Sequence, residues 1–381
     1  MDFSRWGQPS GEWLAFAAAN PAVLANSDDV PPLTLQKIAN GMRSAVAGNL
    51  SRATGLSQLV AKRDYVVPTR DGQSITVRCY RPVLLKDRPL PGYVYFHGGG
   101  FIFGSLDTEL FNCSWLAYSL SIAIVHVCYR PTPQFGGLTA WHDALDGFEW
   151  IATHGGTLGI DVSPGLVVGG ISAGGSLTAC VVQSELRRAR DGGAPSRVRG
   201  QVLGIPNLIH GDAFPYELFA DREKTSMEQC ADAAVITKDR MRLFRDLLGR
   251  DFDPANRTWS PGLASEDELR GAPKTAFLIA GWDPLRDEGL LYAQKLKNAG
   301  VRTKVHIFPG LPHAFNAFTQ LPSHLRWNEV LLDCVRWAAA DEDGWIVEVP
   351  PMLPSATGAA GAAQSLPESA TADASKIANS L

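Results

Sequence analysis

The stretch Val167-Val168-Gly169-Gly170-Ile171-Ser172-Ala173-Gly174-Gly175 constrains the fold more than any other part of the chain. An apolar, strand-compatible run from Gly165 to Val168 meets the pentad Gly170-Ile171-Ser172-Ala173-Gly174, and a helix-compatible segment, Ser176 to Arg190, follows at once. A serine on so abrupt a strand-to-helix reversal needs strained backbone and tolerates only small neighbours, hence glycine two residues to either side. Such a turn lifts Oγ clear of the sheet toward the first N–H groups of the next helix, which favour developing negative charge. A lone pentad would equally suit a Gly/Ser-rich turn between two ordinary elements. The rest of the chain has to decide.

Its periodicity changes twice. Residues 1–62 read as amphipathic helix, with Trp6, Trp13, Phe16, Leu33, Ile38 and Met42 among polar positions and Pro21, Pro31 and Pro32 as punctuation. Asp64 to Val67 and Ile75 to Tyr80 then flank Asp71-Gly72, a hairpin signal. Strands follow at Tyr93–Phe96, Ile122–Tyr129, Val202–Ile205, Thr275–Ala280 and Lys304–Phe308, with helices over 138–152, 287–298 and 326–340. Strand and helix in alternation predict an α/β fold: a mostly parallel central sheet with helices on both faces, opened by an antiparallel hairpin. Residues 207–262 break the rhythm with helical pieces at Ser226–Ala233 and Lys238–Leu248 and no strand between. Together with 1–62 they are expected to form a helical cap over the carboxyl edge of the sheet, where open α/β folds place ligands. The core is then residues 63–206 and 263–345. From 346 to 381 the chain is Ala, Ser, Gly, Pro and Thr with few large apolar residues, which predicts a disordered tail.

Composition excludes several partners. A net charge of -4 over 381 residues offers no broad attraction to nucleic acid or an anionic membrane. The apolar runs are too short and broken to span a bilayer. Six scattered cysteines without a C-x-x-C pair, and an N-terminus without the basic-then-apolar secretory pattern, predict reduced core thiols and a cytoplasmic location. No H-E-x-x-H motif or Cys/His cluster suggests a metal, and no cofactor is expected. A homodimer is left open.

A serine hydroxyl needs a base to become a nucleophile. Among eight histidines, His313 lies in Gly310-Leu311-Pro312-His313-Ala314-Phe315, just after the last strand and so on the same sheet edge as Ser172. His306, inside the alternating strand Val305–Phe308, faces solvent or core instead. An imidazole base needs a carboxylate to hold its tautomer. Asp283 follows its strand after only Gly281-Trp282, whereas the rival Asp287 opens the next helix, where capping would explain it. His97-Gly98-Gly99-Gly100-Phe101, directly after the strand 93–96, leaves backbone N–H groups unshielded, and the N–H of Ala173 would complete an anion cradle. Neither phosphate-loop pattern occurs at this position. His97 itself reads as a structural hydrogen-bonding residue, and Asp143 as an ordinary helix residue.

In this order, His97-Gly98-Gly99-Gly100, Gly170-Ile171-Ser172-Ala173-Gly174-Gly175, Asp283-Pro284-Leu285-Arg286-Asp287-Glu288-Gly289 and Pro312-His313-Ala314-Phe315 resemble the hormone-sensitive-lipase-like branch of the α/β-hydrolases, over about residues 63–342. The resemblance implies a catalytic Ser172, His313 and Asp283, an oxyanion hole of Gly99, Gly100 and Ala173, and a small-molecule ester of short to medium acyl chain as substrate. Two departures stand out. Ile171 replaces the acidic residue many members carry before the serine, and Tyr129-Arg130-Pro131-Thr132-Pro133-Gln134-Phe135 resembles the family's YRLAPE segment without its glutamate, which puts the salt bridges there in doubt. The same acyl-enzyme could serve an acyltransferase or cyclase, with Trp6, Trp13, Phe16, Phe214, Tyr216 and Phe219 excluding water or simply forming cap core. A non-catalytic receptor, as in the family's plant gibberellin receptors, would lack the histidine that is present here.

Overall fold

The hairpin opens the sheet as Asp71-Gly72 predicts: Gly72 adopts a positive φ of 78° between β1 (Val60–Pro68) and β2 (Ser74–Pro82), which pair antiparallel. A computed structural model of the chain describes residues 1–21, 30–249 and 253–340. Its further strands are β3 (Leu90–Phe96), β4 (Ala123–Cys128), β5 (Ile160–Asp161), β6 (Leu166–Ile171), β7 (Val198–Gly204), β8 (Lys274–Trp282) and β9 (Thr303–Pro312). The order across the sheet is β1-β2-β4-β3-β6-β7-β8-β9, with the short β5 on β3. From β4 to β9 every neighbouring pair on this path is parallel.

Alternation along each strand builds a core on both faces. Tyr93, Tyr95, Ile124 and Val167 point to one face, where Trp13, Leu116, Trp327 and Val335 cover them. Val94, Phe96, Val125 and Val168 point to the other, against Trp141, Phe148, Leu177 and Val181. The covering helices include Thr139–Thr153, Ala173–Gly192, Arg286–Asn298 and Pro322–Ala339. Parallel strands put their carboxyl ends on one edge, so the residues that follow β3, β6, β8 and β9 are brought together there.

Several expectations need correction. A helix that the sequence pattern does not announce, Leu110–Leu120, joins β3 to β4; its Cys113, Ser114, Leu116, Ala117 and Leu120 are buried, and tertiary burial outweighs the weak helix preference of its Ser, Asn, Cys and aromatic residues. The helix expected over 226–233 is a single turn, Ser226–Gln229. Beyond it Ala233, Ala234, Val235 and Ile236 are all buried and Val235 has φ 72°, so packing takes precedence over helix continuation. In the long helix Pro32–Ala53, Leu33 and Ile38 are exposed, whereas Leu35, Gln36, Ala39 and Ala47 face inward. The tail expected from residue 346 lies outside the described residues.

Candidate active site

Ser172 sits at the end of β6 with φ 56° and ψ −118°, a conformation L-residues avoid, and the Ala173–Gly192 helix begins one residue later. Sterics explain the flanking glycines. A Cβ on Gly170 would collide with the carbonyl of Gly174, and one on Gly174 with the carbonyl of Phe96. The turn is fixed by Ser172 N–H donating to Gly204 O at 2.8 Å and by Asn207 N–H donating to Ser172 O at 3.1 Å.

Two further loops meet this serine. His313 Nε2 lies 2.9 Å from Ser172 Oγ, and His313 Nδ1 lies 2.8 Å from Asp283 Oδ2. All three side chains are nearly out of water, at 8% exposure for Ser172, 5% for His313 and 1% for Asp283. The remaining carboxylate oxygen, Asp283 Oδ1, accepts from Leu285 N–H at 2.9 Å, which fixes the carboxylate's plane. The three residues are therefore within hydrogen-bond reach in the chain Oγ, imidazole, carboxylate, the arrangement nucleophilic catalysis requires.

The carboxylates after Asp283 divide their work. Asp287 is no cap for its own helix. It accepts from Ser226 N–H at 2.7 Å and from Arg286 Nε at 2.6 Å, turning away from His313. Glu288 accepts from Leu208 N–H at 2.5 Å and from Asn207 Nδ2 at 3.3 Å, and burial pushes its carboxyl up. One short stretch thus orients the imidazole through Asp283 and holds segments of 207–262 through its next two acids.

The glycine turn after β3 runs beside the serine. A Cβ on Gly98 would stand 3.4 Å from Ser172 Cβ. Gly99, Gly100 and Phe101 have φ of 118°, 60° and 65°, three successive left-handed residues, one of them aromatic. Gly99 O accepts from Ile102 N–H at 3.1 Å and Phe103 N–H at 2.9 Å, which closes the turn. Gly100, Ser172 and Ala173 line a single cavity of about 380 Å³. Its apolar wall includes Phe101, Trp141, Trp259 and Phe244, with Phe101–Trp141 and Trp141–Trp259 ring centroids 4.5 and 4.9 Å apart. Arg222, Lys238, Arg242 and Arg245 supply charge along the same cavity.

His97 is buried behind the turn. It stacks on Tyr129 at 4.2 Å, its Nδ1 lies 2.8 Å from Gly98 O, and burial pushes its pKa down to about 4. His306 is partly buried in β9, away from the serine's contacts. Of the six aromatics considered as water shields, Tyr216 lines the cavity, while Trp13 and Phe16 pack with Trp282 and Phe318 in the core. Asp143 is not an ordinary helix residue: fully buried, it pairs with Arg130 at 2.6 Å, and Arg130 also reaches Asp71 at 2.8 Å. These pairs occupy the segment whose missing glutamate left its salt bridges in doubt. Sequence reasoning missed Gln36 and Asn40, whose side chains bind the glycine turn at Ile102 O and at the Gly104 N–H. The one signal for them is a polar residue on the buried side of a helix, which only the packing reveals.

A model of the alpha/beta hydrolase fold matches residues 93–317, and the chain belongs to that family. Within it, the chain falls in the hormone-sensitive-lipase-like branch. Esterase LipI of Mycobacterium tuberculosis is 33% identical over 244 residues, 63% of this chain and 71% of that protein. Versiconal hemiacetal acetate esterase of Dothistroma septosporum is 31% identical over 268 residues, 70% and 79% of the two chains. The crystal structure of vibralactone cyclase superposes with a TM-score of 0.77 at 29% identity, covering 88% of this chain and 96% of that one.

Proposed function

We infer that Ser172 is the nucleophile, His313 the general base and acid, and Asp283 the residue that orients the imidazole, with the N–H groups of Gly99, Gly100 and Ala173 binding the oxyanion. The chain is a carboxylic-ester hydrolase. The observation that carries the assignment of roles is the relay of 2.9 and 2.8 Å ending on a serine in strained backbone. Ser172 Oγ attacks the ester carbonyl while its proton passes to His313 Nε2. The carbonyl oxygen takes up negative charge against the three amides. The tetrahedral intermediate collapses by expelling the alcohol, which takes the proton from imidazolium, and leaves an acyl-serine. Water, deprotonated by the same imidazole, attacks the acyl-serine and releases the acid.

Residues 1–62 and 207–262 serve as the cap. Residues 207–262 line most of the cavity beyond the serine, and a volume of about 380 Å³ suits a small acyl or lactone ester over a long-chain triglyceride. An acetyl or lactone ester of a small natural product, as the name of the Dothistroma relative suggests for that protein, is the substrate class we favour. Among the described residues no helix is long and apolar enough to cross a membrane, and the six cysteines are free, which supports a cytoplasmic enzyme. The test is a p-nitrophenyl ester series with increasing acyl length. Rates should be highest for acetate and butyrate and fall steeply beyond; a rising profile would remove the small-pocket reading.

Likeness to vibralactone cyclase favours a second reading, in which a hydroxyl of the substrate rather than water takes the acyl group. Incubating a hydroxy-ester in H₂¹⁸O separates the two: hydrolysis puts one ¹⁸O in the acid, cyclisation yields unlabelled lactone.

A further inference from the structure

The glycine turn is strained, and strained backbone persists only where its surroundings over-determine it. Its own residues do not suffice. Gly99 and Gly100 accept positive φ without cost, but Phe101 at 65° does not, and within the turn it is spanned by the bonds from Ile102 N–H and Phe103 N–H to Gly99 O. Further restraints come from elsewhere. Thr132 N–H donates to Phe101 O at 2.9 Å. Gln36, 6% exposed on the inner side of the Pro32–Ala53 helix, donates from Nε2 to Ile102 O at 2.6 Å and to Thr132 O at 2.9 Å. Its Oε1 in turn accepts from Gln134 Nε2 at 2.7 Å.

We propose that Gln36 is a positioning residue for the oxyanion hole: its carboxamide ties together the two segments, 101–102 and 132–134, that hold Gly99 and Gly100 in left-handed backbone. The proposal rests on the oxyanion role inferred above. It also accounts for glutamine at 134. A glutamate there would have no N–H to give Gln36 Oε1, so the paired amides form a self-consistent unit in which Gln36 is fixed from both ends. Asn40, one helical turn further on, grips Gly104 through both its N–H, at 2.9 Å, and its carbonyl, at 3.4 Å. The N-terminal helix is therefore an external bracket for a turn that its Gln36 and Asn40 reach across 66 and 64 residues of chain.

The decisive variant is Gln36→Met, which keeps length and packing and removes the donors. In the full chain it should lower kcat for p-nitrophenyl acetate by about tenfold or more, since removing a whole oxyanion donor costs about 10²–10³. KM should stay within about twofold, because ground-state binding does not use the oxyanion amides. The Ki of a trifluoromethyl ketone, whose adduct carries the oxyanion, should rise by the same factor as kcat/KM falls. An unchanged kcat, or a raised KM at constant kcat, overturns the proposal, as does loss of activity only in proportion to loss of folded protein. If Gln36→Met does not fold, Gln134→Met decides. It leaves Nε2 in place but frees the carboxamide, so kcat should fall by about threefold or more, a modest misplacement of the amides; wild-type kcat overturns the proposal. Fluorophosphonate labelling of Ser172 reads the same amides without an ester substrate. If the wild-type chain cleaves no ester, the hydrolase reading fails, while the ratio of labelling rates still tests Gln36.

Discussion

Two left-handed turns stand side by side at the carboxyl edge of the sheet, and they are kept in place by different means. The serine turn after β6 is held by excluded volume and backbone alone: its glycines allow a close approach that any Cβ would block, and its hydrogen bonds go to the backbone of Gly204 and Asn207. The glycine turn after β3 closes on its own Gly99 O, but it also leans on distant side chains, Gln36 and Asn40, and on the Thr132 N–H. A turn whose geometry is set by excluded volume carries that requirement in its local sequence. A turn whose geometry is set by borrowed hydrogen bonds does not, and its supports become visible only when the chain is folded.

The difference should be measurable. Ser172→Ala removes the proposed nucleophile without touching the steric frame, so kcat should fall by about 10⁶ with an unchanged thermal midpoint. Hydrolysis at the normal rate would end the assignment of roles. Next in size is Gly174→Ala. Its methyl would meet the Phe96 carbonyl, a backbone wall that cannot rotate aside. We expect about 3 kcal/mol of destabilisation by overpacking, with residual activity below about a hundredth as β3 is displaced. Gly100→Ala should do less to the fold. Its methyl would press on the ring of Phe244, which can move, and alanine in left-handed backbone costs about 1–2 kcal/mol. Its kcat should drop by about tenfold at near-constant KM as the amide shifts. Urea melts beside initial rates check both. If Gly100→Ala unfolds the chain and Gly174→Ala does not, the contrast between the turns is reversed.

The same division explains what could be read from the chain before its structure. The meeting of Ser172, His313, Asp283 and the glycine run at one edge was legible because each sits within a few residues of a strand end, and parallel strands bring those ends together. The Asp71-Gly72 hairpin was legible for the same local reason. Asp287 was misread as a cap because its partner, Ser226, is 61 residues away. Asp143 was passed over because only the fold brings Arg130 to it. In the Pro32–Ala53 helix, Leu33 and Ile38 suggested the wrong inner face. The true one is chosen by Gln36 and small Ala39, which let the helix approach the glycine turn closely. Local rules fail where a polar side chain is buried for the sake of a distant loop.

The last prediction, read in stability and not in rate, concerns the histidine behind the glycine turn. Unfolded, His97 titrates near 6.5; folded, burial pushes it down to about 4, with Glu109 opposing and Arg43 reinforcing the shift. As pH falls, the unfolded chain takes the proton first, so the neutral ring's contribution to stability is complete above 6.5 and is lost between 6.5 and 4. Across that whole window the loss is about 3 kcal/mol. His126, whose ring lies 5.2 Å from His97, is pushed down by burial as well, so the wild-type decline exceeds that from one residue. The readout is consequently a difference. Urea unfolding of wild type and His97→Asn, followed from neutral pH down to about 4.5, should give a flatter stability profile for the variant. Parallel profiles would mean that His97 does not carry the proton linkage. Because the His97 ring packs against the glycine turn at Gly104, a flatter profile with the trifluoromethyl ketone Ki also raised would tie acid sensitivity to that turn.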